Sequence, residues 1–226
     1  MSEPPNHMRL VRRADGVLAL CDAETPPERG VTPCFDDLLR RLTPAGLPKR
    51  DPLRRAFGER VGTIADATAG LGRDAFLLAM SGFRVIAVER SPLLFPLLAE
   101  ELDRVRTNPA VNLRLDGRLE LRQGDAHAIL PTLRPPPDAV YLDPMFPHKS
   151  KSALSKKAIR LVRAAVGDDL DAASLFEIAR GVARERVVVK RSDDAPPLAP
   201  DPSFAIRSKL VRYDVYMTSR RDGHDA

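Results

Sequence analysis

The residues with the clearest chemical potential are Asp143, Pro144 and Phe146, which follow the apolar run of residues 139–142. A carboxylate beside a backbone carbonyl can accept both N–H bonds of an amino group carried by a ring. An aromatic side chain can stack on that ring, a contact that contributes about 1–3 kcal/mol. The arrangement would aim the lone pair of a weakly nucleophilic amine at a methyl donor, so we predict catalytic roles for all three. Asp-Pro is also common in plain turns after strands.

A second set of residues has the types needed to hold an adenosine cofactor. Gly70 and Gly72 follow a short apolar run, and glycine lets the backbone turn tightly and approach a ligand closely. Glu89, 19 residues after Gly70, can accept hydrogen bonds from both ribose hydroxyls. Asp125 follows a third apolar run, where its carboxylate and the backbone amide of Ala126 can bind an adenine edge.

Two cofactors fit this outline. Residues 70–75 formally match the dinucleotide fingerprint, and Glu89 matches its ribose-binding acid, which allows NAD. Asp66 and Asp74 flank the glycines, where carboxylates would repel a pyrophosphate but attract an ammonium or a sulfonium. Each could also be a turn residue or a helix cap. Carboxylates at successive strand ends together favour S-adenosylmethionine, and Asp143 would lie at the same edge.

These side chains can meet only if several strands end at one edge of a sheet. Apolar and alternating runs predict strands over residues 18–21, 61–65, 84–89, 119–123, 139–143, 186–190 and 211–217. Helical spacing of the apolar residues predicts helices over residues 36–42, 74–81, 93–105 and 174–184. Strands separated by helices indicate an α/β fold with a parallel sheet, helices on both faces and ligands at the carboxyl strand ends. We predict an N-terminal extension or small subdomain over residues 1–60 and a methyltransferase domain over residues 61–226.

The charge pattern favours a polyanionic partner. Among the 226 residues, 36 Lys and Arg outnumber 31 Asp and Glu. The stretch from Pro147 to Arg163 holds six basic residues and no acidic one: Lys149, Lys151, Lys156, Lys157, Arg160 and Arg163. A solvated surface normally mixes the two signs, so this bias predicts contacts with phosphates more than simple surface charge.

The remaining composition narrows the class of protein. No apolar run approaches the roughly 20 residues of a membrane helix, and the N-terminus has no signal pattern. Cys21 and Cys34 are the only cysteines, too few for a disulfide framework, and no Cys/His spacing is typical of a zinc site. We expect a cytoplasmic protein with reduced thiols, no membrane partner and no metal.

These segments together resemble the bacterial 16S ribosomal RNA guanine-N2 methyltransferases, which act on one guanine near the 3′ end of the small-subunit RNA. The matching stretches cover about residues 61–216 and are Asp66-Ala-Thr-Ala-Gly-Leu-Gly-Arg-Asp74, Glu89-Arg90, Tyr141-Leu-Asp-Pro-Met-Phe-Pro-His148, Lys151-Ser-Ala-Leu154, Val166-Gly167, Asp169-Leu-Asp171, Arg186-Val-Val-Val-Lys-Arg191, Ala195-Pro-Pro-Leu198 and Arg212-Tyr-Asp-Val-Tyr216. The chain departs from this family before residue 61, where it is shorter and lacks a Gly-rich stretch.

The resemblance implies a Rossmann-like class I S-adenosylmethionine-dependent methyltransferase with a mostly parallel seven-stranded sheet. It implies methyl transfer to the exocyclic N2 of a guanine, with 16S rRNA or the small ribosomal subunit as partner. It implies cofactor contacts from Arg73, Asp74, Glu89, Arg90, Asp125, Ala126 and Asp143, to which the residue chemistry above adds Asp66 and Gly70.

Two alternatives stay open: an amino-methyltransferase acting on DNA adenine or protein glutamine, and a non-catalytic RNA-binding protein. The sequence lacks a recognisable DNA-recognition domain, which disfavours a DNA substrate.

Overall fold

The computed structural model describes residues 7–145, 156–167 and 169–218, and its centre is a seven-stranded sheet. The strands of that sheet are β3 (Thr63–Asp66), β4 (Arg84–Glu89), β5 (Leu119–Gln123), β6 (Ala139–Leu142), β7 (Arg186–Ser192), β8 (Phe204–Arg207) and β9 (Val211–Met217). Their order is β5-β4-β3-β6-β7-β9-β8, and among these seven strands β9 runs in the direction opposite to the other six. The remaining strands of the described ranges, β1 (Arg9–Arg12) and β2 (Leu18–Cys21), form a separate antiparallel hairpin.

Helices cover both faces of the central sheet. They are α1 (Asp36–Leu39), α2 (Pro52–Phe57), α3 (Arg73–Met80), α4 (Leu94–Arg106), α5 (Pro109–Leu115), α6 (Ala126–Ile129), α7 (Lys156–Val166) and α8 (Ala172–Val182). Side chains alternate between the faces along β6: Tyr141 packs in the cluster with Phe76 of α3, whereas Val140 packs with Phe176 of α8. The predicted α/β fold class, with a mostly parallel seven-stranded sheet, is confirmed.

Short side-chain caps explain where three of the helices begin. Asp51 accepts a hydrogen bond from the backbone of Leu53 at 2.9 Å, and Pro52 fits the first turn because that position needs no N–H partner. Asn108 begins α5 in the same way, and Asp125 begins α6 by accepting from the backbone of His127 at 2.9 Å. The Asp125 cap fixes the direction of the chain as it leaves β5, next to the carboxyl edge of the sheet.

Most predicted elements agree with the structure. The predicted bounds of β2, β4, β5 and β9 are those observed, and the strand predicted over residues 139–143 ends at Leu142, which places Asp143 just beyond the sheet. The sequence patterns do not predict β1, β8, α2, α5, α6 or α7. Most of these are short, and β8 leaves Phe204 and Ala205 exposed, so its apolar periodicity is weak.

Residues 7–60 pack against the rest of the chain in two hydrophobic clusters. Phe35 and Phe57 are fully buried in the same core cluster as Phe76 of α3. Leu20 of the hairpin belongs instead to a smaller cluster with residues of α4 and α7. The division of the chain at residue 60 therefore stays a prediction, to which the packing adds that α1 and α2 complete the core of the central sheet. No helix in the described ranges has the length and apolar character needed to cross a bilayer.

Candidate active site

The carboxyl ends of the parallel strands open into one cleft of about 570 Å³. Asp66 ends β3, Glu89 ends β4, and Asp143 follows β6, so adjacent strands deliver three carboxylates to the same edge. The cleft is lined by every predicted site residue that the structure describes: Asp66, Gly70, Arg73, Asp74, Glu89, Arg90, Asp125, Ala126, Asp143 and Pro144. The structure thus brings together the residues that the sequence singles out; Phe146 lies outside the described residues.

The turn between β3 and α3 depends on its two glycines. Gly70 and Gly72 both have left-handed backbone angles, with φ of 56° and 73°. A Cβ at Gly72 would lie 2.2 Å from Cδ1 of Leu98, so this glycine lets the turn before α3 approach Leu98 of α4. A Cβ at Gly70 would meet nothing nearer than the Thr68 carbonyl at 3.9 Å. Gly70 therefore leaves open space above the turn, as a bound ligand requires.

Glu89 is held at the floor of the cleft by backbone amides. Its Oε2 accepts a hydrogen bond from Gly70 and its Oε1 from Ser91, each at 2.7 Å. The residue is only 5% exposed, and this burial raises the pKa of the carboxyl to about 7 although the two amides favour the ionised form. Each carboxylate oxygen has a second lone pair, so Glu89 can still accept hydrogen bonds from ribose hydroxyls.

Asp74 and Asp143 are joined by Lys190, a residue that the sequence motifs do not assign to the site. The Nζ of Lys190 lies 2.8 Å from Oδ2 of Asp74 and 2.8 Å from Oδ2 of Asp143. The hydroxyl of Tyr141 also donates to Asp74 Oδ2, at 2.7 Å. A lysine that ends an all-valine run is a usable signal, because a charge in a buried strand needs a partner of opposite sign.

The pKa shifts in this cluster have distinct causes. Burial lowers the pKa of Lys190, but the attraction of Asp143 and Asp74 outweighs it and raises that pKa well above its usual value. Burial raises the pKa of Asp143, and the neighbouring Asp74 raises it further, against the effect of Lys190. For Asp74, the lysine and its hydrogen bonds overcome burial, so its pKa is lowered. Lys190 therefore stays protonated and Asp74 stays ionised, whereas Asp143 takes up a proton more easily than an ordinary aspartate.

Asp66 is the most enclosed carboxyl of the cleft. It is 2% exposed, and its Oδ1 accepts a hydrogen bond from the backbone of Thr68 at 3.1 Å. Burial raises its pKa well above the usual value, and repulsion from Asp74, Asp143 and Glu89 adds to this shift. A cation that entered the cleft would relieve this repulsion.

Two arginines that are predicted to contact the cofactor also support loops. Arg73 donates to Asp37 at 2.8 Å, which ties α3 to α1. Arg90 pairs with Asp169 at 2.5 Å and with Asp171 at 2.6 Å, which ties the end of β4 to the segment before α8.

Asp169 links the Arg90 pair to the segment that follows β6. Its Oδ2 accepts a hydrogen bond from the backbone of Met145 at 2.6 Å. On the other side of the segment, the backbone amide of Asp143 donates to Oγ1 of Thr68 at 2.7 Å. The residues after β6 are therefore held from both sides.

Asp125 and Ala126, which are predicted to contact the adenine, are described in full, whereas the basic segment of residues 147–163 is described only in part. Asp125 lies 2.9 Å from the His127 ring, and Ala126 is buried beneath the cleft. Of the basic segment, Lys149 and Lys151 lie outside the described residues, and only the backbone of Lys156 and Lys157 is described. Arg160 pairs with Asp22 at 3.2 Å, and Arg163 lines the cleft.

The lining of the cleft fits S-adenosylmethionine. The carboxyl groups of Asp66, Asp74, Glu89, Asp125 and Asp143 suit a ligand with an ammonium and a sulfonium, and the open space above Gly70 gives the ligand room beside Glu89. A pyrophosphate at the start of α3 would instead meet Asp74, which raises the electrostatic cost of binding a dinucleotide. The donor set therefore favours an S-adenosylmethionine-dependent methyltransferase, and the match of residues 34–218 to the family model of putative S-adenosylmethionine-dependent methyltransferases defines this class for the protein.

Named relatives identify the family within this class. The chain is 46% identical over 175 residues to the ribosomal RNA small subunit methyltransferase J of Aeromonas hydrophila, a match that covers 76% of this chain and 71% of that protein. It is 49% identical over 155 residues to the protein of the same name from Pectobacterium atrosepticum, covering 68% of this chain and 62% of that protein. The chain belongs to this methyltransferase J family, and the resemblance drawn from its motifs is confirmed.

A solved structure agrees with this assignment. The S-adenosylmethionine-dependent methyltransferase of Neisseria gonorrhoeae superposes with a TM-score of 0.72 and 31% sequence identity, covering 98% of this chain and 88% of that one. Because the match extends over nearly the whole chain, it includes residues before position 61, a region that the motif resemblance does not cover. The choice of S-adenosylmethionine over NAD is likewise confirmed.

Proposed function

We propose that the protein methylates the exocyclic N2 of a guanine near the 3′ end of 16S rRNA. The observation that carries the proposal is the position of Asp143, just beyond β6 in the same cleft as the Gly70 turn and Glu89. A carboxylate there can hold an amine beside a methyl donor. The names of the relatives supply the RNA class, because both are ribosomal RNA small subunit methyltransferases.

The residues of the cleft divide the work of cofactor binding. We assign the ribose hydroxyls to Glu89, the adenine edge to Asp125 and the backbone amide of Ala126, and the ligand cations to Asp66 and Asp74. The Gly70 backbone, Arg73 and Arg90 complete the lining on that side. S-adenosylmethionine, when bound there, supplies an electrophilic methyl group.

Asp143 and Pro144 orient the acceptor amine. Although desolvation by the surrounding residues raises its pKa, the side chain of Asp143 still exposes 41% of its surface and can accept one amine N–H, while the carbonyl of Pro144 accepts the other. This pairing draws the nitrogen toward tetrahedral geometry, and most of the rate then comes from alignment. The methylated nitrogen must lose a proton, and Asp143, with its raised pKa, is a suitable acceptor. We assign to Phe146 the stacking contact with the guanine ring.

The rim of the cleft suits an RNA strand. Arg41 and Lys209 are exposed and line the end of the cleft that also contains Lys190 and Tyr213. Cations at this end can bind phosphates that flank an unpaired guanine, and the six basic residues in the sequence from 147 to 163 favour the same kind of partner. A guanine inside a duplex would first have to be flipped out of its stack. A ribosomal RNA substrate is compatible with the expected cytoplasmic location.

Mass mapping of ribosomal RNA tests the proposal. RNA from a strain that lacks the gene should show one guanine without its methyl group, and the restored gene should return the mass. Purified protein should then methylate the same guanine in either naked 16S rRNA or assembled small subunits, which identifies the substrate form. An unchanged methylation pattern in the deletion strain would contradict the proposed function.

A further inference from the structure

We propose that Lys190 is a positioning residue for methyl transfer, which fixes the carboxylate of Asp143 by joining it to Asp74. The inference rests on the proposed function, because it assigns to Asp143 the acceptor amine. It adds a residue from β7 to a site whose other members follow β3, β4, β5 and β6. Lys190 would act through Asp143 and need not touch the substrate.

The sheet itself sets this contact. Leu142 of β6 pairs with Val189 of β7, so the next residues along, Asp143 and Lys190, emerge side by side at the carboxyl edge. Lys190 is also paired with Tyr213 of β9, which encloses it from the other side. An ammonium placed by two neighbouring strands has little freedom to move.

The geometry restrains one oxygen of Asp143 and leaves the other for the amine. Lys190 binds Oδ2 at 2.8 Å, and Oγ1 of Thr68 accepts a hydrogen bond from the backbone amide of Asp143 at 2.7 Å. With both the backbone and Oδ2 held, the carboxylate plane is fixed. The lysine is anchored in turn by Asp74 at 2.8 Å, so the three side chains form one unit.

The positive charge of Lys190 also favours the ionised form of Asp143. The titratable groups that face Asp143 come from five elements: Asp66 of β3, Asp74 of α3, Tyr141 of β6, Lys190 of β7 and Tyr213 of β9. Asp66 and Asp74 disfavour an ionised Asp143, and Lys190 favours it. Without the lysine, Asp143 would hold its proton to higher pH, and a neutral carboxyl is a weaker hydrogen-bond acceptor for the amine than a carboxylate.

The test compares variants in a single-turnover methyl-transfer assay on unmodified rRNA, with saturating cofactor and across pH. Lys190→Met should slow transfer at pH 7 by about 100-fold, the scale expected from misaligned reactants. The acid limb of the pH–rate profile of this variant should shift upward by about one pH unit or more. Lys190→Arg keeps the charge and should recover part of the rate, and Lys49→Met, an exposed lysine outside the cleft, is the matched control.

Asp74→Asn provides a variant of opposite sign. It removes a charge that disfavours ionisation of Asp143 and leaves Lys190 with one anionic partner, so its acid limb should shift downward. Two limbs that move in opposite directions would not result from a packing defect. Limbs that stay at the wild-type pH in both variants, with transfer merely slower, would overturn the proposal.

A substrate-free measurement separates this inference from the proposed function. Carbon-13 labelling of aspartate side chains allows the Asp143 carboxyl to be titrated by NMR in wild type and in Lys190→Gln, a variant that keeps a polar group if Lys190→Met does not fold. A higher pKa for Asp143 in the variant supports the coupling even if wild-type protein does not methylate 16S rRNA, a result that would count against the proposed function alone. An unchanged Asp143 titration would reject the role of Lys190.

Discussion

The cleft has a proposed cofactor end, around Gly70 and Glu89, and a proposed acceptor end, around Asp143 and Lys190, and the two are built in different ways. At the cofactor end, the main contacts of Glu89 are backbone amides of Gly70 and Ser91, fixed by the strand tips themselves. At the acceptor end, Asp143 is held by side chains of Thr68 and Lys190, and the nearby rim is exposed. Backbone donors are present whatever the side chain, so they suit a cofactor that is the same in every reaction. Side-chain contacts, in contrast, change when the residue is substituted. The difference indicates that cofactor binding and acceptor choice can be disturbed separately.

The largest effect is expected at the acceptor end. Asp143→Ala should lower the single-turnover rate by about 100- to 1,000-fold, the usual result when a group that stabilises the transition state is removed. Cofactor affinity, measured by calorimetry, should fall far less. Asp103→Ala, on an exposed part of α4 away from the cleft, is the control. Unchanged turnover in Asp143→Ala would remove that residue from the mechanism.

The two glycines sharpen the comparison within the cofactor end. Gly72→Ala should lower stability by about 1–3 kcal/mol, because the added methyl group meets Leu98 and the backbone is left-handed. Gly70→Ala has the same backbone strain without that clash, so its destabilisation should be smaller and its main defect should be in cofactor affinity. Thermal unfolding and calorimetry measure the two quantities. Equal melting temperatures for the variants would contradict the packing role of Gly72.

Glu89 predicts a pH dependence that belongs to the cofactor end alone. Its pKa of about 7 means that the carboxyl is mostly protonated below that pH, so it has less acceptor capacity for the ribose. Cofactor affinity should therefore fall up to about tenfold per pH unit below 7 and level off above it. Glu89→Gln should bind more weakly at pH 8 and should flatten this dependence. A wild-type affinity that is constant from pH 5.5 to 8 would argue against an ionised Glu89 at the ribose.

The raised pKa of Glu89 also makes stability depend on pH, but in the opposite direction: cofactor affinity should rise with pH, whereas the stability of the fold should fall. The folded protein holds the Glu89 proton up to about pH 7, whereas an unfolded chain releases it near 4.5. The contribution of this residue to stability is therefore complete below pH 4.5 and disappears as pH rises through 7. In unfolding titrations without cofactor, Glu89→Gln should make this decline shallower between pH 5 and 7, and the raised pKa values of Asp66 and Asp143 should account for the part that remains. A variant slope equal to that of the wild type would show that Glu89 contributes nothing to it.

The smallest effect is expected at the rim. Charge reversal of Arg41 and Lys209 should weaken RNA binding by several-fold and should reduce its salt slope by about 0.7 for each phosphate that the variant no longer binds. Cofactor affinity should not change. Charge reversal of Arg118, an exposed residue outside the cleft, is the control. An unaltered salt slope would show that RNA takes a different path across the surface.

The cofactor end can be predicted from the sequence because its residues follow their strands directly. Asp66, Gly70, Glu89 and Asp125 each come at or just after the end of an apolar run, and parallel strands bring such ends to one edge. The local pattern is therefore sufficient to place them. The helices between the strands do not alter that edge, so the prediction does not depend on their exact bounds.

The acceptor end cannot be predicted in the same way, because its contacts depend on the order of strands in the sheet. Lys190 reaches Asp143 only because β7 lies beside β6, although the two residues are 47 positions apart. Asp74 is predicted to face the cofactor, but its Oδ2 is engaged by Tyr141 and Lys190. Its cofactor contact stays a proposal. The edge strand β8 escapes prediction because it is short and largely exposed.

The reversed direction of β9 has a consequence for how this scaffold could be altered. Because β9 starts where the parallel strands finish, the turn formed by Ser208, Lys209 and Leu210 opens onto the cleft beside Lys190. That turn joins two strands at the margin of the sheet, far along the strand order from β4 and β5. Insertions or grafted loops at this point could redirect the enzyme to other nucleotides while the machinery for the methyl donor is inherited intact.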